Sequence, residues 1–429
     1  MFEPTGLQRD AASVLFNLPD YRVIDAQDRP QGRLVVIEAL EVEGACPSCG
    51  VLTSKVHQRT LQRVRDVPIA GAVEVRWSKR RFACREDLCV RRTFSEHTVQ
   101  VPPRARSTLR FGEAMLAAVT DAGRTVSEVA SWFGVAWWSV QVRVNAAAVL
   151  LAAGELAVVR RLGIDEHRYR SVRFFRDPVT RAWHRYEPWM TTFVDLDSGQ
   201  VLGVVDGRDS AGVKSWLESC TPAWRAGVQV VAIDPSAAFR KALRESLPLA
   251  AVSVDHFHLV QLANDIVTVV RQRVSQQTKA RRGRGLDPSW VNRRLLLRGA
   301  DTLSKGGWAR LKATFRSDDP TDEISAAWAV KEQLRRLLAT SSLEAAHTEK
   351  MRLGVYVLAA KMVETDRLWT TICTWWPAIE VLIVTGVTNA KTEAANTAIK
   401  HIKRSGRGFR NENHYRARIL LASAARRAA

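Results

Sequence analysis

Four of the six cysteines fall in two pairs, and pairs of thiols make metal chemistry. Cys46-Pro47-Ser48-Cys49-Gly50 sets two thiols on a tight turn, with Gly50 supplying backbone freedom. Cys84 and Cys89 enclose four residues and form a looser second knuckle. Strand-like sequence lies between the pairs. Four thiolates suit one tetrahedral Zn²⁺, with Zn–S near ~2.3 Å. A closed four-Cys set leaves no open coordination position, so the zinc is expected to be structural. A small β module with little core needs such a staple. Four ordinary free cysteines are the alternative, and His57 is a substitute ligand. Cys220 and Cys373 are scattered.

Carboxylates form the second set. Gly163-Ile164-Asp165-Glu166-His167 places an acid straight after a short apolar stretch. Val230-Val231-Ala232-Ile233-Asp234 does so at the end of a clear strand pattern, and Val252-Ser253-Val254-Asp255-His256-Phe257-His258 is a third case. Thr392-Glu393-Ala394-Ala395-Asn396 opens a helical pattern that continues through Ala398, Ile399 and Ile402. Taken singly, a strand-end aspartate reads as a cap or turn residue. Together, strand-end acids converging with a helix acid make a cage for hard divalent cations. Two Mg²⁺ about 3.5–4 Å apart can activate an attacking oxygen and stabilise a leaving one, as phosphodiester chemistry requires.

The charge balance names a partner for such chemistry. Lys and Arg number 64 against 44 Asp and Glu, a net charge of +20. A folded basic protein of this kind meets a polyanion, with nucleic acid as the default and a solubilising surface as the alternative. Arg281, Arg282 and Arg284 sit in a basic run from Arg271 to Arg298 opposed by Asp287 alone, and phosphate contact is expected there. Lys400, Lys403 and Arg404 line the outer face of the glutamate segment. Thr125-Val126-Ser127-Glu128 fits a capping box, and Gly134 falls at a turn before a second helix over Ala136–Val144. That is a helix-turn-helix pattern, with Ser139, Gln141 and Arg143 among the side chains offered to DNA; a plain helical hairpin is the alternative. Trp is abundant at 14, with Trp137-Trp138 and Trp375-Trp376 as pairs; most are expected in the core, with base stacking as the minority alternative.

Positioning these residues takes several elements. Length, 429 residues, suggests two to four domains, and the 46% hydrophobic and 25% charged composition excludes disorder as the main state. Strands are expected over Arg33–Val42, with Leu34, Val36, Leu40 and Val42 on one face, and over Val73–Phe82. Val101-Pro102-Pro103 is a break, followed by helices from Ser107 to Ala152. Short strands at Met190–Val194, Val201–Val205, Val228–Ile233 and Ala250–Val254 alternate with helical segments, an α/β pattern. From Leu259 to about Pro377 the chain reads as helical. No apolar run approaches the ~20 residues of a membrane span. Glu3 and Asp10 flank a stretch without a long apolar run, so no signal peptide is expected and the location reads as cytoplasmic.

The acidic motifs, together with Lys403-Arg404 and Gly408-Phe409-Arg410, resemble the ISL-three family of bacterial insertion-sequence transposases. The order of parts is similar too, and the resemblance spans nearly the whole chain. It implies a multidomain α/β protein: a zinc-binding β domain over 1–100, a helix-turn-helix domain over 107–152, and an RNase H-like DDE domain over 158–429 with a helical insertion at about 262–385. Asp165 and Asp234 match the two aspartates and Glu393 the glutamate, with Mg²⁺ or Mn²⁺ as the metal. Ala394-Ala395 stands where the family tends to have Gly, and Pro235-Ser236 departs from the usual dipeptide; neither removes a carboxylate. Asp255 is a rival acid that could ligate metal or, with His256 and His258, contact a phosphate or brace the site. The implied activity is binding of terminal inverted repeats in double-stranded DNA, cleavage at element ends and joining of 3′-hydroxyl ends to target DNA. The implied working form is a homodimer or higher oligomer at the bacterial nucleoid. A nuclease or resolvase without strand transfer, and a DNA-binding regulator with relic carboxylates, are the alternatives.

Overall fold

In the computed structural model, which describes residues 10–69 and 71–428, each unit is built around one sheet. Glu3 lies outside the described residues. Chain contacts divide the protein into units Met1–Leu150 and Leu151–Ala429.

In the first unit, helix α1 (Ala11–Phe16) precedes β1 (Tyr21–Arg29), β2 (Gly32–Ala39), the small hairpin β3 (Gly44–Ala45) and β4 (Leu52–Thr53), then β5 (Val56–Val64), β6 (Val73–Ala83) and β7 (Thr93–Ser95). The main sheet runs β1-β2-β6-β5, with β7 on the end of β6. Strand β2 has neighbours on both sides and is largely buried on both faces, so the simple alternation expected there does not hold. Val35 and Ile37 face the core with Tyr21, Val75 and Trp77, while Val42 lies past the strand end and is exposed. Trp77 is fully buried, edge-on to Tyr21 at 5.5 Å. The unit closes with α2 (Leu109–Thr120), α3 (Val126–Trp132) and α4 (Trp137–Ala153). The capping box at Thr125 and Glu128 is formed, and Gly134 takes φ +60° at the turn, a conformation that favours glycine. Asp66 ties these helices to the sheet, accepting from Thr108 Oγ1 at 2.6 Å and pairing with Arg110.

The second unit begins with β8 (Arg161–Arg168), a separate hairpin β9 (Arg173–Arg176) and β10 (Trp183–Tyr186), then β11 (Trp189–Asp195) and β12 (Val201–Asp206). Helices α5 (Ser210–Ser219) and α6 (Pro222–Gly227) lead to β13 (Val230–Ile233), and α7 (Ala237–Ser246) to β14 (Ala251–Val254). The five-stranded sheet has the order β12-β11-β8-β13-β14. Strands β8, β11 and β12 pair antiparallel, whereas β13 and β14 run parallel to β8. Helices then occupy most of the chain: α8 (His256–Lys279), α9 (Pro288–Val291), α10 (Arg293–Leu297), α11 (Lys305–Asp318), α12 (Glu323–Leu338), α13 (Leu343–Ala360), α14 (Val363–Thr374) and α15 (Trp376–Thr385). Trp375 and Trp376 are buried in the shared core, whereas Trp137 and Trp138 are exposed. Finally α16 (Ala390–Ser405) packs on β8 and β11, and α17 (Glu412–Ala428) on β12. Among the described residues no single helix is long and apolar enough to cross a membrane.

Candidate metal centres and acidic site

The knuckles converge. Cys46 sits on the β3–β4 hairpin, whose turn is closed by Gly50 N–H donating to the Cys46 carbonyl at 2.8 Å, with Gly50 at φ +76°. Cys84 follows β6 directly, and Cys89 packs with Phe82 and Phe94. The Sγ atoms lie within 4.8 Å of one another, with Cys46 to Cys89 at 3.9 Å and Cys49 to Cys84 at 3.6 Å. Tetrahedral Zn–S bonds of ~2.3 Å require S···S of about 3.8 Å, so the spacing fits zinc. All six cysteines are free thiols, which excludes disulfides here. Burial opposes ionisation of Cys46, but the Ser48 and Cys49 amides outweigh it and lower the thiol to about 7, whereas Cys49 and Cys84, despite the Val51 and Glu86 amides, are pushed up by burial and the neighbouring thiols.

The acidic site follows from sheet register. Ile164 of β8 pairs with Ile233 of β13, which pairs with Val254 of β14. Asp165, Asp234 and Asp255 each come next, so they stand at one level across three adjacent parallel strands. Asp165 is not at a strand end, because β8 continues to Arg168 by pairing with β11. Its Oδ1 accepts from the Glu166 amide at 2.7 Å and its Oδ2 from Asn396 Nδ2 at 2.6 Å. Burial and the charge of Asp234 push the Asp165 carboxyl up to about 7. His258, on the first turn of α8, bridges the other two: its Nε2 is 2.9 Å from Asp234 Oδ2 and its Nδ1 3.2 Å from Asp255 Oδ2. Hydrogen bonds to Asp234 and Asp255 push His258 up to about 10, so it is a cation at neutral pH. Burial alone would raise Asp255, but His258 and His256 outweigh it and hold the carboxyl below its usual value. Asp234 Oδ1 is buried without a partner.

Helix α16 is clamped over this row. Asn389 Nδ2 donates to the Ile164 carbonyl at 3.1 Å, and a Cβ at Gly163 would collide with the Thr392 hydroxyl, so only glycine admits this approach. Glu393 is half-buried and lies one turn before Asn396, on the same face of the helix. The tightest acidic group among the described residues is Asp234, Asp255 and His258, whose ligand atoms lie within 4.8 Å of one another. Asp255 and His258 thus cluster with Asp234, while His256 is exposed beside them. Sequence reasoning missed Asn396, Asn389, Thr192 and Arg208. Thr192 donates to Asn396 Oδ1 at 3.2 Å, and Arg208 approaches Glu166 to 3.7 Å. The i+3 spacing of Asn396 from Glu393 in one motif is the signal that points to it.

The residues offered to DNA separate into two kinds. Ser139 is exposed near the start of α4, but Gln141 is buried and donates to Asn145 at 2.7 Å, and Arg143 packs over Gly112 of α2. Arg143 therefore packs α4 against α2, and Gln141 is buried along α4 instead of facing outward. Asp287, the single acid of the basic run, is buried and organises it: Arg281 pairs with it at 2.8 Å and the Arg284 amide donates to it at 2.7 Å. Arg281 is thus a structural residue, while Arg282 and Arg284 are exposed. Lys400 and Arg404 are exposed on α16, and Lys403 donates to the Arg168 carbonyl at 2.8 Å.

A basic protein with a four-thiol centre, a helix-turn-helix and a row of carboxylates over a mixed sheet belongs to the DNA-processing class, and sequence comparison narrows it. The profile of a transposase family, ISL3, matches residues 162–419; a zinc finger of transposases matches 43–89, and the helix-turn-helix domain of transposase family ISL3 matches 96–148. The chain belongs to the ISL3 transposase family, whose members cut and join DNA. It is 24% identical over 399 residues to the transposase for insertion sequence element IS1001 of Bordetella parapertussis, covering 88% of each chain. It is 24% identical over 298 residues to the transposase for IS1557 of Mycobacterium tuberculosis, covering 63% of this chain and 62% of that one.

Proposed function

We propose that this chain mobilises an insertion sequence: it binds terminal inverted repeats in double-stranded DNA, hydrolyses a phosphodiester at the element ends, and directs the freed 3′-hydroxyl onto target DNA. The observation that carries the reading is the register of Asp165 and Asp234 on neighbouring parallel strands beneath the helix of Glu393. The strand order, three antiparallel strands followed by two parallel ones, supports reading the sheet as an RNase H-like core.

Asp165, Asp234 and Glu393 would hold Mg²⁺ or Mn²⁺, and the residues present fit one. Asp234 keeps one buried oxygen without a partner, and burial next to Asp234 drives Asp165 towards its neutral form, an arrangement a cation relieves. When bound, the metal supplies charge neutralisation at the phosphate and a lowered pKa for attacking water. The chain's own residues do the positioning. Asn396 and the Glu166 amide fix both oxygens of Asp165. His258, braced on Asp255, fixes one oxygen of Asp234 and leaves the other for the metal. No side chain needs to become covalently attached, because water and then the 3′-hydroxyl attack. The zinc ribbon and helix-turn-helix recognise the ends, and synapsis of two ends calls for at least two copies, acting in the bacterial cytoplasm.

Incubation with labelled element ends and Mg²⁺, followed by mapping of cut and joined strands, tests the reading. Cut and joined products are expected. Cutting without joining of a pre-cleaved end marks a nuclease or resolvase, and binding without nicking marks a regulator.

A further inference from the structure

The hairpin β9–β10, between the strand of Asp165 and β11, carries four large exposed aromatics: Phe174 (61%), Phe175 (53%), Trp183 (68%) and Tyr186 (53%). All eight of its strand residues are exposed. A two-stranded ribbon of this length gains little from such side chains on its own, so burial in a core does not account for them. Register pairs Arg173 with Tyr186 and Phe175 with His184, which puts Arg173, Phe175 and Tyr186 on one face. Phe175 and Tyr186 meet edge to face at 6.1 Å.

That face opens into a cleft shared with Trp189, the first residue of β11. The indole of Trp189 lies under the guanidinium groups of Arg168 at 5.4 Å and Arg208 at 4.8 Å, and Arg208 reaches Glu166 beside Asp165. Trp189 also lines a neighbouring cleft with Glu166, Arg168 and Lys403, so it stands between the hairpin and the residue next to Asp165. Beside the first cleft runs a second one lined by Arg170, Arg173, Lys403, Arg404, Arg407 and Arg410, with no acidic residue in its lining. Arg170 is pre-set there, its guanidinium donating to the Phe409 carbonyl at 3.0 Å and to the Tyr169 hydroxyl at 2.9 Å.

We propose that the hairpin and the two clefts at its base form a subsite for an unpaired DNA strand next to the cut, with bases stacked on Phe175 and Tyr186 and phosphates on the arginine-lined cleft. Resting on the transposase reading, the proposal adds that the end is melted locally before cleavage. The occupant is DNA because the two features alternate flat apolar rings with cations, the pairing that single strands require. An aromatic face alone would suit a protein, and a basic cleft alone would suit any duplex backbone.

Phe175→Ala/Tyr186→Ala in the full chain is the test, with Phe175→Tyr/Tyr186→Phe to show that rings suffice. Binding of a ten-nucleotide oligothymidylate, read by anisotropy, is expected to weaken roughly tenfold or more in the alanine variant and to be retained with the aromatic swaps. Cleavage of fully paired ends is expected to fall by a similar factor, and ends carrying mismatches beside the cut are expected to restore it. Equal losses on paired and mismatched ends, or unchanged oligothymidylate binding, would overturn the proposal. Oligothymidylate binding needs no cleavage, so a wild-type protein that binds it through these rings yet cuts no end refutes the transposase reading and leaves the stacking subsite standing.

Discussion

The four-thiol centre and the acidic row are both clusters of potential anions, and they are assembled in opposite ways. The thiols come from one stretch, 46–89, on two local turns whose geometry depends on backbone closure such as Gly50 on Cys46. The carboxylates of the row come from three strands, with a helix clamped over them; Asp165 and its clamp Asn396 are 231 residues apart. The thiol centre is closed, with four protein ligands for one tetrahedral ion, so a metal held there would contribute folding free energy. The acidic row is open: His258 satisfies one oxygen of Asp234 and the other stays buried without a partner. A closed site makes a fold, and an open one is held by a fold that carries its electrostatic strain.

The largest effect that can break this contrast is removal of zinc. Structural zinc is worth an apparent ~10–16 kcal/mol in small modules, so chelation, or Cys49→Ser, is expected to unfold the ribbon and weaken binding to element ends. Circular dichroism with elemental analysis checks it, and a folded ribbon containing no zinc would remove the distinction. Next comes Glu393→Gln, which keeps shape and loses charge. Cleavage is expected to fall about a thousandfold or more with end binding largely intact, since metal charge stabilisation is worth several kcal/mol. Asn396→Ala sharpens the account of the clamp: as a positioning residue it is expected to cost about 10–100-fold in metal affinity or rate, read as a higher Mg²⁺ requirement. The smallest effect concerns the basic run. Arg282→Ala and Arg284→Ala are each expected to lower the slope of log affinity on log salt by about one unit. Arg281→Ala is expected to cost about 1 kcal/mol or less of stability instead, because its guanidinium is half-exposed on Asp287; a denaturant titration separates the two.

Much of this was legible because some signals are local. The paired cysteines, the Thr125–Glu128 box and the strand patterns ending at Asp234 and Asp255 were each visible within a few residues, and the structure forms all of them. Strand β8 was visible only as a short apolar stretch before Asp165, since its second half is polar and owes its extension to pairing with β11. The alternation expected of β2 gave way because a central strand is covered on both faces. Gln141 and Arg143 illustrate the opposite limit. A helical wheel has no partner helix in it, so the buried Gln141 and the Arg143 packed on α2 looked available to DNA. The bridge from Asp234 through His258 to Asp255 joins residues on different strands, and periodicity carries no distance between strands.

Strand mapping of labelled ends with Mg²⁺, comparing Asp234→Asn with Asp255→Asn, tests the central claim most directly. Asp234 is placed as a metal ligand and Asp255 as the brace of His258. The account predicts that Asp234→Asn abolishes cleavage and strand transfer with repeat binding retained, while Asp255→Asn loses less and recovers part of its rate at higher Mg²⁺. Loss of cleavage in Asp255→Asn with activity kept in Asp234→Asn would contradict it and move the metal to the other strand.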